Sequence, residues 1–88
     1  MSQSSKPQPA LGAAIRALRD KKHATQETVS QEAGITVAHL SKIERGLTNP
    51  TWGTVVAIAE ALGVSVADVA KATERAAGTT RASSGPSK

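Results

Sequence analysis

An 88-residue chain with no Cys, a single Trp and neither Phe nor Tyr has room for one small domain, with a core drawn from Ala, Val, Leu and Ile. That composition excludes a disulfide framework, a thiolate nucleophile and a Cys-ligated zinc site, and a core this thin gains from dimerisation. The formal charge of +4 is not a property of the folded part. Between Ala10 and Ala77 eight Lys or Arg stand against seven Asp or Glu, and the excess lies at Lys6, Arg81 and Lys88.

In chain order, residues 1–9 carry Ser, Gln, Lys and Pro and are expected to form a disordered arm, in which Lys6 could reach a phosphate or a minor groove. A first helix follows, with Leu11, Ile15 and Leu18 at i, i+4 and i+7 and with Lys21, Lys22 and His23 at its negative end. A second helix is capped by Thr25 and stops at Gly34, and a third is capped by Thr36 and stops at Gly46. After the Leu47–Pro50 loop, Thr51 caps a fourth helix carrying Val55, Val56, Ile58, Ala59 and Leu62 up to Gly63. Ser65-Val66-Ala67-Asp68 reads as the capping-box start of a fifth. Residues 78–88 hold Gly, Thr, Ser and Pro without an apolar anchor and are expected to form a disordered tail. The expected architecture is an all-α, five-helix domain over residues 10–77. No apolar run approaches the ~20 residues that cross a bilayer, and Met1 to Pro9 has no signal-peptide core, so no membrane partner is expected.

Two short helices joined by a Gly-containing turn, Thr25 to Gly46, make the pattern of a helix-turn-helix, whose second helix enters the DNA major groove. The chain here resembles the phage-repressor and Cro-like (XRE-type) helix-turn-helix regulators. The resemblance rests on Ile15-Arg16-Ala17-Leu18-Arg19, Thr25-Gln26-Glu27, Ala33-Gly34-Ile35-Thr36, Leu40-Ser41-Lys42-Ile43-Glu44-Arg45-Gly46, Asn49-Pro50-Thr51 and Ala59-Glu60-Ala61-Leu62-Gly63-Val64. It spans about Leu11 to Val69 and implies a dimeric double-stranded-DNA binder on a palindromic operator, in the cytoplasm at the nucleoid. Gln26 is then expected at a phosphate beside the groove, and Thr36 at the start of the reading helix. Val37, Ala38 and Lys42 are expected toward base edges, with His39 near the DNA backbone. Arg45, Thr48 and Asn49 are expected at phosphates. Arg19 and Glu44 are expected to form a structural ion pair between the first and third helices. Many relatives carry polar side chains where this chain has Val37 and Ala38, so few strong base contacts per half-site are expected.

Other residues carry blander expectations. His23 and His39 are separated by a helix and lack metal-ligand spacing, and the carboxylates show no paired pattern. No metal site, cofactor or enzymatic activity is therefore expected. Gly12 belongs to no phosphate loop. Trp52 is expected as an apolar plug packed beside the third helix. Residues 64–77, through Val66, Val69, Ala70 and Ala76, are the expected homodimer surface. The few residues after Ala77 leave no space for a ligand-sensing domain, so control through concentration, a partner protein or proteolysis is expected. Three readings stay open at this stage: a repressor-like regulator, the antitoxin or restriction-controller variant of it, and an adaptor that keeps the fold without DNA binding.

Overall fold

The computed structural model describes residues 8–78, so residues 1–7 of the arm expected over 1–9 and residues 79–88 of the tail expected over 78–88 lie outside them, while Pro9 of that arm belongs to the first helix. Five helices follow one another: α1 (Pro9–Lys21), α2 (Gln26–Ala33), α3 (Val37–Glu44), α4 (Trp52–Leu62) and α5 (Val66–Ala76). No strand occurs among the described residues. Helix α1 opens with Pro9 at its first position, where the missing N–H has no intrahelical partner to lose.

The other four helices start as side-chain chemistry dictates. Thr25, Thr36 and Thr51 accept the backbone N–H of Thr28, His39 and Thr54 at 3.0, 2.9 and 3.1 Å. Ser65 and Asp68 exchange reciprocal bonds of 3.0 Å in a capping box. Each cap satisfies a backbone donor that the helix leaves unpaired, a gain of ~1 kcal/mol per residue. Between α1 and α2 the chain turns differently, because His23 itself takes a left-handed conformation (φ 56°).

The core joins these elements through Ile15, Val29, Leu40, Ile43, Ile58 and Leu62. A second cluster, Val55, Ala59 and Val69, is continuous with it through Leu11, Leu18 and Val64. Val69 is 2 % exposed and Ala72 is also buried. This corrects the expectation that Val69 faces a second copy. The inward face of α5 is used up on the core of its own chain, which leaves Val66 half-buried and Ala70 and Ala76 exposed. Trp52 is likewise not a plug. It is 67 % exposed at the first position of α4, and Val55, one turn later, fills the interior instead.

Gly12 has a role that its spacing did not reveal. A Cβ there would fall well inside contact distance of the Ile43 carbonyl oxygen and 2.9 Å from that of Glu44, so α1 and α3 touch backbone to backbone. Gly46, at φ 76° beyond α3, lies against Pro9, whose Cα is 3.0 Å from where its Cβ would be.

Two outcomes are expected from this packing. Gly12→Ala should cost ~1–3 kcal/mol through overpacking against rigid backbone, lowering the melting temperature by roughly 4–20 °C in a domain of this size. Gly53→Ala, whose Cβ meets nothing nearer than 3.9 Å, should raise it slightly, since Gly is about 0.5–1 kcal/mol worse than Ala inside a helix. Circular-dichroism melts of the two variants give the comparison.

The Asp68 carboxyl is held below its ordinary range, first by the backbone N–H of Ser65 and then by the Ser65 hydroxyl. A depressed folded-state value means that this cap stabilises α5 above the unfolded carboxylate value. Its contribution is lost as pH falls through the lower folded value. Urea midpoints measured below pH about 4 should therefore decline less steeply in Asp68→Ala than in the wild type.

Candidate nucleic-acid interface

The exposed stripe of α3 is set by which of its residues the core takes. Leu40, Ile43 and Glu44 are buried, so Ala38, Lys42 and Arg45, at i, i+4 and i+7, face outward with Val37 beside them. His39 and Ser41 flank the stripe half-buried. Thr48 and Asn49 follow in the loop, also half-buried, with Leu47 exposed between them and Gly46.

Capping leaves the Thr36 hydroxyl with a defined remainder. Its oxygen accepts the His39 N–H, so its own O–H and one oxygen lone pair are still to be used. Arg45 is exposed and folds back toward the Ser41 carbonyl, with 3.4 Å between Nε and the oxygen. Lys42 is exposed in the last turn of α3. Every one of these groups is a hydrogen-bond donor.

Beneath the stripe lies a polar node that joins three helices. Arg19 of α1 donates through Nε and Nη2 to the two Glu44 oxygens at 2.7 and 3.0 Å. Its Nη1 donates to the Ala24 carbonyl, 2.9 Å away, at the entry to α2. Gln26, the first residue of α2, donates Nε2–H to Glu44 Oε1 at 3.0 Å. The Glu44 side chain is 3 % exposed and that of Arg19 13 %. Hydrogen bonding to Glu44 is the main influence holding the Arg19 guanidinium more firmly charged than usual.

The Gln26–Glu44 bond changes the picture of Gln26. One amide N–H is committed to the protein, and the second N–H and the carbonyl remain for a ligand. Spacing alone gave no sign of this contact, since the partners are 18 residues apart. Ser41 is a second position that spacing passed over. It lies on the outward side of α3 one turn after Val37.

A helix-turn-helix domain profile matches residues 10–72. The chain belongs to the XRE/Cro-like helix-turn-helix DNA-binding family. Within this family it is 39 % identical over 64 residues to an uncharacterized HTH-type transcriptional regulator, y4dJ, of Sinorhizobium fredii, spanning 73 % of this chain and 83 % of that protein. The helix-turn-helix fold superposes on the clp gene regulator ClgR of Corynebacterium glutamicum with a TM-score of 0.79 at 30 % identity, over 88 % and 82 % of the two chains. It also superposes on the restriction-modification controller protein C.AhdI of Aeromonas hydrophila with a TM-score of 0.67 at 26 % identity, over 69 % and 92 %.

Removing one member of the node strands the others. Glu44→Ala leaves a largely buried guanidinium without its carboxylate, a loss typically of ~3–5 kcal/mol. Thermal denaturation should show that loss without DNA present. Gln26→Ala, which leaves the charge pair whole, should destabilise by only ~1 kcal/mol.

Proposed function

We propose that this chain is a sequence-specific transcriptional regulator that binds double-stranded DNA as a dimer on a palindromic operator, with α3 in the major groove. The observation that carries the reading is the outward stripe of α3, whose polar members at Thr36, Lys42 and Arg45 stand apart from the core while Gln26 is held beside it by Glu44. A duplex against that stripe places phosphates at the start of α2, where the N-terminal dipole and the remaining Gln26 N–H favour an anion. Phosphates on the other side meet Arg45 and the Thr48–Asn49 backbone.

The donors on the stripe suit acceptors. Lys42 and the Thr36 O–H match guanine O6 and N7 or thymine O4, and Val37 and Ala38 offer methyl contact to thymine. Cytosine N4, itself a donor, finds only the second lone pair of the Thr36 oxygen as an acceptor in that set. His39 adds a contact near the DNA backbone. The few base contacts available make two half-sites and duplex shape necessary for specificity.

Dimerisation is assigned, within the residues 64–77 expected for it, to the side of α5 that carries Val66 and Ala70 and not Lys71 or Arg75. The outward side of α5, Val66 and Ala70, borders a groove of about 450 Å³ whose opposite wall includes Trp52 and Pro50. Trp52 is thereby an aromatic anchor for a second copy. Two recognition helices related by such an axis read half-sites about 34 Å apart.

Selection from random duplexes should return a palindromic motif for the wild type. Lys42→Ala should relax one position of each half-site by ~1–3 kcal/mol, whereas Arg45→Ala should weaken all sequences alike and reduce the salt slope by about one. Trp52→Ala with Ala70→Glu should shift sedimentation toward the monomer. A wild type that stays monomeric with and without DNA overturns the dimer. A wild type that yields no motif at low salt overturns the regulator in favour of an adaptor.

A further inference from the structure

Four of the eight Lys and Arg among residues 8–78 gather along the seam between α1 and α5: Lys21 and Lys22 at the end of α1, and Lys71 and Arg75 of α5. They line two adjoining hollows of about 300 and 320 Å³, which share Leu18, Lys21 and Arg75. The floor is apolar, with Leu18 and Val64 in one hollow and Ala14 and Ala72 in the other. Asp68 is the single acid at the rim. Lys22, just past the end of α1, and Lys71 of α5 line the same hollow as Asp68, so the two cationic rows border one groove.

This basic groove is not the DNA-facing surface of the domain. Gly12 and Arg19 of α1 both meet α3, and Ala14, Ala17 and Lys21 lie roughly 140–180° around the helix from them at 100° per residue. Helix α1 therefore stands between the groove and α3, and a duplex docked on the reading stripe leaves the groove uncovered.

We propose that the α1–α5 groove docks an acidic amphipathic helix of a partner protein. The two rows of cations flank an apolar floor, and helices packed as α1 and α5 are set ~8–10 Å apart. A third helix lying along that seam puts aliphatic side chains into the hollows and carboxylates beside both rows, the helix-in-groove mode of recognition. A phosphate backbone carries no aliphatic groups to fill the floor. The charge complementarity also favours encounter with an acidic partner at low salt.

The test uses a synthetic helix of about 18 residues, with Leu along one face and Glu elsewhere, added to the full chain while amide shifts are followed by NMR. The expected result is perturbation at Leu18, Lys21, Val64, Lys71 and Arg75, with α3 unaffected. The double variant Lys71→Gln/Arg75→Gln should weaken peptide binding by about tenfold and leave melting and duplex binding unchanged. Four outcomes overturn the proposal: no binding, shifts confined to α3, equal binding by a Glu peptide lacking Leu, or perturbation of Lys71 and Arg75 by a random-sequence duplex. The last would make the groove a second nucleic-acid surface.

Discussion

Glu44 holds a carboxylate where water hardly reaches, and three donors from two other helices converge on it. A charge in that position is tolerable only if it is fully paired. Arg19 supplies a planar fork that meets both oxygens, and Gln26 takes up remaining capacity on one of them. The start of α2 and the end of α3 are thus tied to a single group on α1. The angle between the two helices of the motif is fixed by directional bonds as well as by the non-directional packing of Val29, Leu40 and Ile43. The surface assigned to DNA inherits its geometry from this node, since both Gln26 and the α3 stripe are placed by it.

The apolar side of the same arrangement depends on small side chains. With no Phe or Tyr in the sequence, helices come together through Ala14, Ala59 and Ala72 and through the bare backbone at Gly12. Close approach brings dispersion contacts that larger residues would otherwise supply. It also allows little tolerance, because a single added methyl at Gly12 meets carbonyl oxygens that cannot move without shifting α3.

Much of the fold was legible because its signals are local. Thr25, Thr36, Thr51 and Ser65 each announce a helix by capping chemistry, and Gly34, Gly46, Gly63 and Gly78 each follow one with a positive φ. The turn after α1 was less legible because His23, not glycine, takes the left-handed conformation there. The errors concern tertiary neighbours. Val69 and Trp52 are both large and apolar, and periodicity does not say which of them the core accepts. Val55 occupies the interior near the start of α4, so Trp52 is left outside. The Gln26–Glu44 bond and the Gly12 contact join segments 18 and about 31 residues apart in sequence, and neither has a local signature. The family pattern supplied the Arg19–Glu44 pairing that spacing could not, because it reflects contacts between distant segments.

Nothing in the core rests on Val37, Ala38, Lys42 or Arg45, and the node beneath them is built from other side chains. Exchanges along that stripe therefore fall among surface substitutions, which usually change stability by no more than about 0.5 kcal/mol. Under the proposed function, address and architecture are encoded in separate residues. On that reading, a gene duplicate of this chain can drift to a new operator one side chain at a time with little change in stability, whereas drift at Gly12, Arg19 or Glu44 loses the fold before any new specificity arises.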